Sequence, residues 1–91
     1  MEYTVGQVVY SKSGHDKGKS FIIISIEGEY LYLVDGKSRR IDKPKKKKMK
    51  HVQITGHYDQ EIKAKLENDK YILDADFAKA LKQYGNQRKA Q

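Results

Sequence analysis

The chain has 91 residues, 37% of them apolar, with 19 Lys and Arg against 12 Asp and Glu, for a net charge of +7. That apolar share is below the roughly 45–50% of an average globular chain, so it can close one small core but not also enclose a large substrate cavity. The absence of Cys excludes disulfides, thiolate catalysis and Cys-ligated zinc, and a small basic domain points to a polyanionic partner.

The segment Met1-Glu2-Tyr3-Thr4-Val5 lacks a basic region followed by an apolar stretch, so no signal peptide is expected. No apolar run approaches the ~18 residues of a membrane span. A Cys-free chain fits a reducing compartment, and a cytoplasmic location is expected.

Gln7-Val8-Val9-Tyr10 fits a first strand. Ser20-Phe21-Ile22-Ile23-Ile24-Ser25-Ile26 is rich in β-branched and aromatic residues and too short for a free helix. Its apolar residues occupy both faces, which predicts a central strand, covered on both sides or curled into a barrel. Glu27-Gly28-Glu29 reads as a tight turn and Tyr30 to Val34 as the return strand. Asp35-Gly36 tolerates the positive φ of a hairpin turn. Shorter strands are expected around Ile41 and over Met49 to Val52. About five short strands in some fifty residues make a mainly β fold, the size of a small SH3-like barrel. It is placed over residues 1–53, with Val8, Ile22, Ile24, Ile26, Leu31 and Leu33 as its main core.

Residues 54–91 read as a helical tail, with helices over about 59–68 and 74–84. Asp59 is the first N-cap candidate, and Ile62 and Leu66 share a face. Asp74 is the second N-cap candidate, followed by an apolar stripe of Phe77, Ala78, Leu81 and Tyr84. Neither candidate has Glu or Gln three residues on, so no capping box is expected. Gly85 is placed as the C-cap, and Gln87 to Gln91 is expected to fray.

Charge is concentrated in one place. Between Arg39 and Lys50 stand Arg39, Arg40, Lys43, Lys45, Lys46, Lys47, Lys48 and Lys50 with one acid, Asp42, a window of +7. The other 79 residues hold 11 basic and 11 acidic groups and sum to zero. A lysine run can be a solvated loop or a nuclear localisation signal. Phosphate contact is the sharper reading, because charges this dense repel until a polyanion relieves them.

Between the first two strands lies Gly14-His15-Asp16-Lys17-Gly18-Lys19. Glycines four apart let the backbone turn sharply and expose amides beside Lys12, Lys17 and Lys19, a workable phosphate site. With its flanks this segment resembles the KOW motif: a strand, a Gly-x-Asp-Lys-Gly-Lys turn, then an apolar strand, here Phe21 to Ile26. The resemblance continues through Leu33-Val34-Asp35-Gly36 to Lys50-His51-Val52-Gln53. The whole is similar to large-subunit ribosomal proteins of the fourteen-e, six-e and twenty-seven-e types. It looks closest to their short bacterial relatives, KOW-domain RNA-binding proteins with a helical tail. The resemblance implies an SH3-like barrel, RNA binding, ribosomal RNA as the main partner, and contact with ribosomal proteins through the tail.

The RNA-binding residues expected are Lys12, Gly14, His15, Lys17, Gly18 and Lys19 of the turn. Arg39, Arg40, Lys43, Lys45, Lys46, Lys47, Lys48 and Lys50 of a basic loop, 39–50, join them. Tyr10, Tyr30 and Tyr32 are candidates for base stacking, worth roughly 1–3 kcal/mol per base. They also suit a barrel rim with hydroxyls in water. His15, His51 and His57 lack metal-ligand spacing, and Ser13, His15 and Asp16 are too close in one turn to converge as a triad. No enzyme, metal, cofactor or small-molecule substrate is expected. Six to eight phosphate contacts predict a log–log salt slope of around −4 to −7. The alternative is a protein-docking KOW module of a transcription or translation factor, using the Phe77–Tyr84 stripe.

Overall fold

The structure is a computed structural model describing residues 2–89, with side chains through residue 85. Five strands are formed: β1 Gln7–Ser11, β2 Ser20–Glu27, β3 Tyr30–Val34, β4 Lys45–Lys48 and β5 Val52–Tyr58. A 3₁₀ turn, Met49–His51, joins β4 to β5, and α1 Gln60–Glu67 and α2 Asp74–Lys89 follow. The strands make one antiparallel sheet in the order β4-β3-β2-β1-β5.

β2 is central, as its two apolar faces predict, and it divides the molecule into two cores. Phe21 and Ile23 enter one with Val9, Leu31, Leu33 and Val52, all supplied by strands. Ile22 enters the other with Val8 and Val34 of the sheet and Ile62, Phe77 and Ala80 of the helices. The strand-built core is buried although no α-helix covers it: Tyr3, Val5 and Met49 pack against it, and the sheet curves round it. The connection of β4 to β5 says the same. In a flat sheet these two edges would stand about 19 Å apart, four strand spacings. Three residues of 3₁₀ turn rise only about 6 Å.

Several expectations need correcting. Val8, Ile22, Leu31 and Leu33 are fully buried, but Ile24 is only partly buried and Ile26 is 37% exposed. The β2–β3 register shifts between Ile23 and Ser25, and beyond it the β2 side is exposed at Ile26 while its partner Leu31 stays buried. Reading only every second residue as core also missed Val9, Phe21, Ile23 and Val34, which the doubly covered sheet buries. No strand forms at Ile41, which sits in the turn closed by a single Arg40–Lys43 bridge. The basic segment is not one loop, because Lys45 to Lys48 is β4 itself. β5 carries the sheet past residue 53 to Tyr58.

Asp35-Gly36 does not make a tight hairpin. It opens the connection 35–44, where the Asp35 carboxylate accepts from the Lys37 and Arg39 N–H groups and the Ser38 hydroxyl, each at 2.8 Å. Gly36 has φ +79 and lies against α2 so closely that a Cβ would stand 2.8 Å from the Ala78 nitrogen and collide with the Asp74 carbonyl. Only glycine lets this loop meet the helix.

The helices follow the apolar periodicity more than the expected caps. Asp59 caps α1 as predicted, accepting from the Ile62 N–H at 2.9 Å. Asp74 does not cap α2. Asp76 reaches back to the Leu73 N–H at 2.9 Å, as the third residue of a capping box does. Gly85 is not a left-handed C-cap, since α2 runs through it to Lys89. Of the segment expected to fray, residues 87–89 are helical and residues 90–91 lie outside the described part. Phe77 is buried, and Leu81 and Tyr84 pack beside it on the sheet.

Candidate nucleic-acid interface

The turn between β1 and β2 is built by its own backbone. The Gly18 N–H donates to the Ser11 carbonyl at 2.8 Å and the Lys19 N–H to the Asp16 carbonyl at 2.9 Å. Gly14 and Gly18 have φ of +78 and +86, and a Cβ on Gly18 would meet nothing. Glycine is therefore required there by conformation, not by crowding.

Asp16 turns inward at the tip, its side chain 7% exposed, and gathers three cations. Arg39 Nη2 donates to its Oδ2 at 2.9 Å, Lys45 Nζ stands 3.7 Å from the same oxygen, and Lys19 Nζ lies 3.6 Å from Oδ1. The Arg39 hydrogen bond holds the Asp16 carboxyl below its usual pKa; burial opposes this, and the charges of Arg39, Lys45 and Lys19 reinforce it. Lys47 Nζ donates to the Ser13 carbonyl at 2.8 Å. The turn is thus clasped to the basic segment by Arg39, Lys45 and Lys47. Asp16, read in the sequence only as a member of the turn and a rejected triad candidate, is the residue that joins the two basic segments. Its signal was available: one acid inside an otherwise basic turn.

Strand geometry explains which lysines form the clasp. Directly opposed residues in an antiparallel pair share a face, and successive residues alternate. Lys45 and Lys47 oppose Leu33 and Leu31 and so lie on the side of the strand-built core, at its rim. Lys46 and Lys48 oppose Tyr32 and Tyr30 on the other side. Lys46 Nζ stands 4.5 Å from the Tyr30 ring centroid and 5.9 Å from that of Tyr32. Lys48 Nζ is 5.7 Å from the Tyr30 centroid and 3.3 Å from Glu29 Oε1. The Glu29 contact, reinforced by Tyr30, raises the Lys48 ammonium above its usual pKa.

Arg40 and Lys43 go elsewhere. Arg40 Nε donates to Asp74 Oδ2 at 3.2 Å and the Ile41 N–H to Asp74 Oδ1 at 2.8 Å, which fastens this bend to the start of α2. Asp16, Glu29 and Asp74 all lie outside the Arg39–Lys50 window and pair with it. Those three carboxylates reduce its +7 to +4.

Among the described residues, Lys12, Lys17, Lys43, Lys46 and Lys50 make no ion pair. All five are exposed, as are Gly14, His15 and Gly18. The Lys12 N–H donates to the His51 carbonyl at 2.8 Å, which sets the turn beside Lys50. Tyr30 and Tyr32 are brought together with Lys46, but Tyr10 is not. It opposes Ser20 at the far end of β2 from Tyr30, which opposes Glu27, and its centroid is 6.4 Å from that of Tyr84.

No helix among the described residues is long and apolar enough to cross a membrane. No family model matches the chain, and no curated protein matches it.

Proposed function

We propose that this chain is an RNA-binding protein of the translation apparatus, a cytoplasmic KOW domain folded as an SH3-like barrel, with ribosomal RNA as its main ligand. The observation that carries the reading is the clasp at Asp16. It joins the glycine turn to Arg39 and β4, segments more than twenty residues apart, so that two basic stretches of sequence become one fixed surface. Lys12, Lys17 and Lys50 belong to the segments so joined and have no carboxylate of their own among the described residues, Lys46 projects from the other face of β4, and Lys43 extends the set toward α2. A preorganised set of unpaired ammonium groups is what phosphate recognition uses. The docking alternative relied on an open Phe77–Tyr84 stripe, and that stripe is packed against the sheet.

Sedimentation of cell lysate on gradients at low and high salt tests the assignment. The protein should travel with the large ribosomal subunit at low salt and be released at high salt or by ribonuclease. Migration as free protein at both salts overturns it.

A further inference from the structure

Between the glycine turn, the loop after β3 and α2 lies a groove of about 810 Å³. Its apolar lining includes Tyr10 of β1 and Leu81 of α2, and around these stand Lys19, Lys37, Lys79 and Lys82. Four cations from three separate segments thus face one cleft. The one acid lining it, Asp35, is turned to its own loop. Burial raises its pKa, but hydrogen bonds from the Arg39 and Lys37 N–H groups and the Ser38 hydroxyl outweigh this and leave it below the usual value. Lys37, Lys79 and Lys82 make no ion pair among the described residues, and Lys19 shares Asp16 with Arg39 and Lys45.

We infer that this groove is a second nucleic-acid site, one that takes a short stretch of unpaired RNA. The inference rests on the RNA-binding reading and extends it to α2, whose charged face the phosphate surface above does not include. The volume falls within the ~300–1,000 Å³ of clefts that hold small ligands. That is room for a nucleotide or two, whereas a duplex is gripped across a broad, shallow groove. An aromatic ring and a leucine lining the same groove as four lysines suit a stacked base and its phosphates. Lys19 belongs to both surfaces, so a strand leaving the turn enters the groove without crossing a neutral gap.

Amide chemical shifts of the whole protein, titrated with octauridylate at low salt, test this. The amides of Lys37, Lys79 and Lys82 should move together with those of the turn. The double variant Lys79→Gln/Lys82→Gln, at exposed helix positions, should bind octauridylate roughly tenfold more weakly at 0.15 M salt. Its log–log salt slope should be shallower by about 1.4, as expected for two lost single-strand phosphate contacts. Shifts confined to the turn and β4, or an unchanged affinity in the double variant, overturn the groove site and leave the RNA-binding reading standing. Groove shifts produced equally well by uridine monophosphate alone overturn the assignment to a strand. If no amide moves anywhere, both readings fall.

Discussion

Lys45 and Lys47 differ from Lys46 and Lys48 in nothing but position, yet strand alternation gives the two pairs different work. The first pair faces the rim of the strand-built core, where Asp16 and the Ser13 carbonyl hold it. The second faces outward over Tyr30 and Tyr32. A run of four lysines is therefore not one patch of charge. Half of it fastens the glycine turn in place; of the other half, Lys48 pairs with Glu29 and Lys46 alone is left without an ion pair among the described residues. Lysine on an edge strand also blocks edge-to-edge pairing, and β4 is an edge. The contrast between the pairs separates that role from ligand binding.

The largest effect should come from removing the anchor of the inward pair. Asp16→Ala leaves three cations without their carboxylate and should lower stability by about 1.5–3 kcal/mol in urea unfolding. That is a large share of the ~5–14 kcal/mol of a domain this size. A loss below about 0.5 kcal/mol would mean that the clasp is only a surface ion pair.

The same carboxylate gives the contrast a pH dependence. Its native pKa is depressed, so its contribution is present above the unfolded value of about 3.9 and is lost as pH falls through the lower native value. Below about pH 4 the wild type should lose stability, and Asp16→Ala should lose less over the same range. Parallel acid profiles for the two proteins would count against the depressed pKa.

Next come single lysines. Lys46→Gln should weaken RNA binding roughly fivefold at 0.15 M salt, as one phosphate contact would, with stability unchanged. Lys45→Gln should do the reverse, lowering stability by about 1 kcal/mol or less and sparing affinity. Equal effects of the two substitutions on RNA binding would erase the distinction. If Lys46→Gln instead causes association at unchanged affinity, the outer pair guards the edge. The smallest effect is expected at Glu29, whose pair with Lys48 is exposed. Glu29→Gln should leave the urea-unfolding midpoint unchanged.

How much of this the sequence disclosed follows from how local each feature is. β2 was legible because four apolar residues in a row, Phe21 to Ile24, occupy both faces of a covered strand. Asp59 was legible as a cap because its partner, Ile62, lies three residues away. β4 was not, since lysine has low strand propensity and Lys45 to Lys48 become a strand only by pairing with Tyr30 to Leu33. Asp74 reads locally as a cap, but Arg40 and the Ile41 N–H, more than thirty residues back, take its carboxylate. The basic residues of the site were visible as composition. Their sorting into anchors and unpaired cations was not, because it depends on register and on three acids, Asp16, Glu29 and Asp74, brought in from outside the run.

The salt dependence of RNA binding tests the central claim most directly. With five cations of the turn and basic segment, Lys12, Lys17, Lys43, Lys46 and Lys50, making neither an ion pair nor a side-chain hydrogen bond to a carbonyl among the described residues, the log of the binding constant against the log of salt concentration, from about 50 to 200 mM, should fall with a slope near −3.5 to −4.5. That is shallower than the charge of the sequence alone predicts. A slope near zero would contradict the account.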